Sequence, residues 1–89
     1  MKTIQEVKDF LVDMFPHEKI YLFGSRARGD ESMYSDVDIA IEGEALGSRL
    51  SQARFVLEES LVPYKIDLVD LSKASYLKGI IQKEGIVWH

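Results

Sequence analysis

The sequence predicts an α+β domain, or a related α/β layer, in which helices cover one small sheet. Apolar residues recur at helical spacing in three segments, and short β-rich or alternating runs lie between them. No repeat or linker divides the chain, so residues 1–89 are predicted to form a single domain. A chain of this length has room for one modest core.

Proline, glycine and serine mark where the elements begin and end. Pro16 ends the first helix, because proline biases the preceding residue away from helical angles. Gly24 ends the first strand in a tight turn, while Ser72 and Gly85 are expected to cap the last helix. Strand directions stay open, since short connections allow antiparallel pairs as well as crossovers. The predicted elements are a helix over residues 3–15, a strand over 19–23, a short helix or turn over 25–29, a loop over 30–35, a strand over 37–42, a helix over 46–57, a strand over 65–71, a helix between 72 and 85, and a short strand over 86–88.

Aromatic side chains supply much of the expected core. Phe15, Tyr21 and Phe23 are interpreted as a core cluster. Phe55 is expected to extend the apolar side of the middle helix, and Tyr76 is assigned to the core as well.

Composition restricts the class of protein. The net charge of −4 argues against a general nucleic-acid binder, which usually has a basic face. The chain has no cysteine, so it has no disulfide or thiolate metal site, which fits a reducing cytoplasm. No apolar run approaches the roughly 20 residues of a membrane span. A small acidic domain of this kind often works with a partner.

Two aspartates lie two residues apart in an otherwise apolar strand. Asp36 and Asp38 share a face, because side chains alternate along a strand. Close carboxylates repel one another unless a cation lies between them, and Mg²⁺ prefers such oxygen ligands. A solvent-facing strand that carries aspartate twice is the alternative reading.

A third aspartate strengthens the metal interpretation. Asp67 lies within the strand KIDLVDL and would be a third ligand if that strand neighbours the first. Three acids on adjacent strands hold two metals that clamp an attacking and a leaving oxygen. Asp70 has the opposite parity and is interpreted as a strand-end or surface residue.

A Gly-Ser turn precedes the acids and predicts a phosphate site. Gly24 allows backbone angles closed to other residues and lets a phosphate approach. Ser25 begins a helical turn whose free N–H groups suit phosphate oxygens. Of the arginines that follow, Arg26 is favoured over Arg28 to face the phosphates. A turn with no ligand is the alternative for Gly-Ser alone.

Taken together, these residues resemble the minimal nucleotidyltransferases of the DNA polymerase β superfamily. The family motif is an apolar strand ending in Gly-Ser, a spacer of about ten residues, and Asp-x-Asp among apolar positions. Here the segments are YLFGS and DVDIAI, and Ile66-Asp67-Leu68 matches the later carboxylate. The resemblance covers essentially the whole chain.

The resemblance implies a small mixed sheet covered by helices and a transfer of nucleoside monophosphate that releases pyrophosphate. Asp36 and Asp38 would bind two Mg²⁺ ions, and Asp67 would complete the catalytic-metal site. Gly24 and Ser25 would hold the β- and γ-phosphates of a nucleoside triphosphate, with ATP as the expected substrate.

The resemblance also implies a partner protein. Larger relatives add a helical domain that this sequence lacks, and members this short are typically encoded beside a small helical HEPN protein as the antitoxin of a toxin–antitoxin pair. The implied acceptor is a tyrosine hydroxyl on that toxin. Two alternatives stay open: a non-catalytic antitoxin that binds its partner and nucleotide without turnover, and an unrelated α+β domain whose acids only face solvent. The oligomeric state, a homo-oligomer or a complex with a partner, also stays open.

Overall fold

A computed structural model describes residues 3–29, 36–60 and 62–89, except for the side chains of Ser25 and Arg28. The loop expected over residues 30–35 lies outside this described part. The elements in chain order are α1 (Ile4–Met14), β1 (Lys19–Phe23), α2 (Ser25–Arg28), β2 (Val37–Glu42), α3 (Gly47–Glu59), β3 (Ile66–Asp70), a 3₁₀ turn (Ser75–Leu77), α4 (Lys78–Glu84) and β4 (Ile86–Val87).

The four strands form one mixed sheet in the order β3-β2-β1-β4. β1 pairs antiparallel with β2 on one side and with β4 on the other. β2 and β3 run parallel, joined by α3 as the crossover. The predicted α+β class and mixed sheet are confirmed. The structure also gives the strand directions, which the sequence left open.

Local signals explain where the first helix starts and stops. Thr3 caps α1, since its Oγ1 accepts a hydrogen bond from the backbone N–H of Glu6 at 3.1 Å. The helix ends before Pro16, as expected, with Phe15 as its C-cap. The last helix ends at the predicted residue, because the N–H of Gly85 donates to the carbonyl of Ile81.

The two faces of the sheet bury different clusters. The larger cluster joins α1 and α3 to alternate residues of the strands, including Val37, Ile39 and Ile41. On the opposite face a smaller cluster of Ala40, Leu71 and Ile81 packs under α4. The β2 side chains that alternate with these, including that of Asp38, therefore lie on the less covered face of the sheet.

The expected aromatic cluster is split between these faces. Phe15 is fully buried in the larger cluster, whereas Tyr21 and Phe23 are partly buried against the smaller one. The expectations for Phe55 and Tyr76 are wrong, because their side chains are 63% and 79% exposed. Helical periodicity locates a helix's apolar side but not how far the neighbouring elements extend over it.

Ser72 does not cap the last helix, contrary to expectation. Its N–H and hydroxyl both donate to Oδ1 of Asp70, at 3.0 and 2.6 Å, which forms a turn at the end of β3. The chain then makes a 3₁₀ turn, and α4 begins at Lys78. The local Asp–Ser turn thus delays the helix by several residues.

Within the described ranges, no helix is both long and apolar enough to cross a membrane.

Candidate active site

The candidate site lies at one end of the sheet. β1 finishes there at Phe23, and its antiparallel partner β2 and the parallel strand β3 both begin there. Topology alone therefore brings the Gly24 turn, Asp38 and Asp67 to the same end, although 42 residues lie between Gly24 and Asp67.

Two of the predicted carboxylates lie directly opposite one another. Asp38 on β2 is in register with Asp67 on β3, and Phe23 is the β1 partner of Asp38. Residues in register on neighbouring strands, about 4.8 Å apart, point to the same face. The structure therefore brings Asp38 and Asp67 to one face, as the sequence predicted.

Asp36 lies just before β2 and is exposed. Its neighbour Val37 donates a backbone hydrogen bond to Lys65 at 2.8 Å, so Asp36 adjoins the paired part of the two strands. Within residues 3–29, 36–60 and 62–89, no three acidic or histidine side chains already converge as a metal-binding group. Like charges repel, so the convergence of three carboxylates needs a cation among them.

Two other acids are separated from this pair. The side chain of Asp70 points to the opposite face of β3 from that of Asp67 and binds Ser72. The prediction that Asp70 is a strand-end residue is therefore confirmed. Glu42 is at the far end of β2, with its Oε2 4.0 Å from Nζ of Lys78.

Gly24 supports the site by its backbone shape and its lack of a side chain. Its φ is +79°, in the left-handed region that favours glycine. A Cβ at this position would overlap Oδ2 of Asp38 and lie 3.2 Å from its Cγ. Ser25 begins α2, which is only four residues long. The Gly-Ser turn and the central carboxylate are thus in immediate proximity.

Arg26 packs against an aromatic ring that sequence reasoning did not select. Its Cζ lies 4.7 Å from the ring centroid of Tyr64, a cation–π arrangement. Tyr64 precedes β3, so this contact connects α2 with the strand that carries Asp67. The only sequence signal was an aromatic residue between Pro63 and the strand, which does not identify its partner.

A pocket of about 330 Å³ lies between α3 and β3. Asp67 and Tyr64 are part of its lining, with Leu57 and Leu68 as apolar walls. Nη2 of Arg54 donates to the carbonyl of Leu68 at 2.7 Å and closes one side. Sequence reasoning missed Arg54, because its position on a helix gives no indication of a contact with a strand edge.

The mixed sheet, with Asp38 and Asp67 in register beside the Gly24 turn, has the fold of a nucleotidyltransferase. Residues 5–88 match the family model described as polymerase beta, nucleotidyltransferase. The match covers nearly the whole sequence, and the chain belongs to this family.

Curated relatives agree with this assignment. A Haemophilus influenzae protein that is named as a protein adenylyltransferase, MntA, is 34% identical over 84 residues, which cover 91% of this chain and 74% of the relative. Two Methanocaldococcus jannaschii proteins that are also named as protein adenylyltransferases are each 34% identical over 98 residues, covering 97% of this chain and 98% of the relative.

Solved structures share the fold. A chain in the crystal structure of a toxin–antitoxin with AMP-PNP superposes with a TM-score of 0.71 at 24% identity, covering 92% of this chain and 72% of the other. A nucleotidyltransferase from Sulfolobus solfataricus gives 0.54 at 23% identity, covering 93% and 73% of the two chains.

Proposed function

We propose that this protein is a Mg²⁺-dependent adenylyltransferase that transfers AMP from ATP to a hydroxyl group of a partner protein. The observation that carries the proposal is the arrangement of Asp38, which faces Asp67 in register and lies against Gly24. This arrangement places acidic oxygen ligands beside a turn open to phosphate. The relatives at 34% identity are named as protein adenylyltransferases, which supports AMP as the transferred group.

The carboxylates have the chemistry that Mg²⁺ requires. Asp36, Asp38 and Asp67 would hold two ions, since all three offer oxygen ligands at one end of neighbouring strands. Bound Mg²⁺ neutralises charge on the phosphates and lowers the pKa of a coordinated hydroxyl.

The chain's own groups perform the remaining tasks. Gly24 and the backbone of Ser25 would hold the β- and γ-phosphates, and Arg26 would lie beside them on Tyr64. Asp67 would accept the proton of the acceptor hydroxyl as its oxygen bonds to the α-phosphorus. The bond from that phosphorus to the bridging oxygen breaks, and pyrophosphate leaves with the electron pair.

The acceptor is proposed to be a tyrosine of a HEPN-type toxin, with this chain as its antitoxin in the cytoplasm. A solved chain of the same fold belongs to a toxin–antitoxin assembly, which motivates this choice. Self-association into a homo-oligomer would be compatible with the same role.

Transfer of label from [α-³²P]ATP tests the proposal. The protein would be incubated with labelled ATP, Mg²⁺ and the product of the adjacent gene. We expect the partner to be labelled by the wild type and not by the Asp36→Asn, Asp38→Asn double variant. Absence of label with wild type, together with a tight complex that survives in the double variant, would instead establish a non-catalytic antitoxin.

A further inference from the structure

The sheet has two outer edges, and they differ in length. β4 forms one edge with only two residues, whereas β3 forms the other with five. An edge strand presents a row of N–H and C=O groups that can pair with another chain unless something blocks them. A very short edge strand offers little to pair with, so β3 is the edge that needs protection.

Alternate residues of β3 point their backbone groups outward. The N–H of Val37 donates to the carbonyl of Lys65, and the N–H of Leu71 donates to the carbonyl of Ile41. The backbone groups of odd-numbered residues therefore face β2, and those of the even-numbered residues point away from the sheet. The outward-pointing residues of β3 are Ile66, Leu68 and Asp70.

The outer edge of β3 has open space beside it. Residues 66–68 all line the pocket of about 330 Å³ that lies next to α3. Because consecutive side chains of a strand alternate between its two faces, a pocket lined by all three residues follows the edge itself. Another extended chain therefore has room to approach this edge.

Two of the three outward carbonyls are occupied from within the chain. Nη2 of Arg54, on α3, donates to the carbonyl of Leu68 at 2.7 Å. The N–H groups of Lys73 and Ala74 donate to the carbonyl of Asp70 at 3.0 and 3.1 Å. The second contact belongs to the turn after β3, whereas the first depends on one exposed side chain that reaches the middle of the strand.

The edge is self-complementary, so a second copy of this chain fits it. If two β3 strands pair antiparallel about a two-fold axis at Leu68, each Leu68 lies opposite its copy. Ile66 then lies opposite Asp70, and Asp67 lies opposite Val69. None of these pairs brings like charges together, so side-chain repulsion does not prevent the pairing. The two Leu68 residues would exchange two hydrogen bonds, and each bond needs the carbonyl that Arg54 occupies.

We propose that Arg54 blocks the outer edge of β3 against pairing with β3 of a second copy of this chain. While the guanidinium holds the Leu68 carbonyl, an incoming strand cannot form the central pair of hydrogen bonds. Removal of the guanidinium leaves a five-residue edge that can join two sheets into one. The inference is independent of the proposed AMP transfer, because it concerns only the strand edge and one arginine.

Hydrogen exchange followed by nuclear magnetic resonance tests this role. Wild type and Arg54→Ala, labelled with ¹⁵N, would be compared from micromolar to millimolar protein, and sedimentation equilibrium would give their masses. Arg54 is exposed on a helix, and alanine favours a helix, so the variant should fold.

In concentrated Arg54→Ala we expect the mass of a dimer. The amides of Ile66 and Leu68 should then exchange about tenfold or more slowly than in the dilute variant. In the wild type their exchange rates should not depend on concentration. Rates independent of concentration in both proteins, or equal slowing in both, would overturn the proposal.

Two further variants separate the loss of this contact from other effects. Arg54→Lys keeps a cationic donor at the edge and should behave like the wild type. Gln52→Ala removes an exposed side chain from the part of α3 that lies beside Met14, and it should also leave the exchange rates unchanged. Slowing in Gln52→Ala as strong as in Arg54→Ala would overturn the role of Arg54. A dimer of Arg54→Ala in which the Ile66 and Leu68 amides still exchange rapidly would contradict pairing through β3.

Discussion

Gly24 and Asp38 are so close that a Cβ on the glycine would overlap the carboxylate of the aspartate. Replacing Gly24 by alanine should therefore displace the Asp38 carboxylate as well as strain a backbone with a φ of +79°. A displacement on the order of 1 Å at a reacting centre costs roughly 100-fold in rate. We expect a loss of this size in AMP transfer, measured under saturating ATP.

Gly29 provides the control for backbone strain. Its φ is +81°, yet among the residues that the structure describes, its chain neighbours aside, no atom lies within 4 Å of the position that a Cβ would take. Gly29→Ala and Gly24→Ala should both incur about 1–2 kcal/mol of left-handed strain, measured by denaturant unfolding. Only Gly24→Ala should lose activity beyond its loss of stability. Equal losses of activity in both would show that the contact with Asp38 is irrelevant.

Asp67→Asn should reduce transfer by roughly 100- to 1,000-fold, because it removes a metal ligand and the proposed proton acceptor. Asp70→Asn is the matched control on the same strand, since asparagine retains the Oδ1 that accepts from Ser72. We expect near-normal transfer from Asp70→Asn. Initial rates at several Mg²⁺ concentrations would measure both, and comparable losses in the two variants would remove Asp67 from the site.

The positions of Gly24 and Asp38 in the fold could be predicted because their signals are local in sequence. The Gly24-Ser25 pair indicates a turn, and the alternation around Asp38 indicates which side chains of the strand are polar. Neither signal requires knowledge of the rest of the fold. The partnership of Asp38 with Asp67 required that β3 neighbour β2 in register, which no local pattern encodes. The sequence therefore selects Asp67 only on the condition that the two strands are neighbours.

Contacts between distant elements were beyond sequence reasoning. Arg26 was favoured for phosphate, and its position on the Tyr64 ring depends on how the loop after α3 returns to the sheet. Tyr76 is expected in the core, yet it lies in the 3₁₀ turn between the Asp70–Ser72 turn and α4 and is 79% exposed.

The contact between Arg26 and Tyr64 gives a further prediction. Tyr64→Leu should destabilise the fold by about 0.5–1 kcal/mol through the lost cation–π contact. For a domain of this size, each kcal/mol of lost stability lowers Tm by roughly 4–8 °C. We also expect a higher KM for ATP, because Arg26 loses its support. Tyr64→Phe keeps the ring and should change neither quantity, so equal effects of Phe and Leu would exclude the stacking role.

Glu18 and Arg49 should make stability depend on pH. Nη2 of Arg49 lies 2.5 Å from Oε1 of Glu18, and this hydrogen bond lowers the pKa of the Glu18 carboxyl below its ordinary value of 4.5. A depressed pKa in the folded state stabilises the fold fully above about 4.5, the unfolded value, and the stabilisation is lost as pH falls through the folded pKa. We expect the unfolding free energy to decrease in that acidic range.

Glu18→Gln should flatten this part of the pH profile, because glutamine does not titrate. The variant should be less stable than the wild type at neutral pH, with the difference diminishing in acid. Glu44→Gln, a substitution at an exposed carboxylate, serves as the control. Urea unfolding from pH 3 to pH 7 would measure all three proteins, and parallel profiles for wild type and Glu18→Gln would refute the linkage.

Anomalous diffraction from crystals grown with Mn²⁺ and a non-hydrolysable ATP analogue tests the central claim most directly. We predict manganese peaks bound by Asp36, Asp38 and Asp67, with the β- and γ-phosphates against Gly24 and Ser25. Manganese and nucleotide density elsewhere on the protein would contradict the assignment of this site.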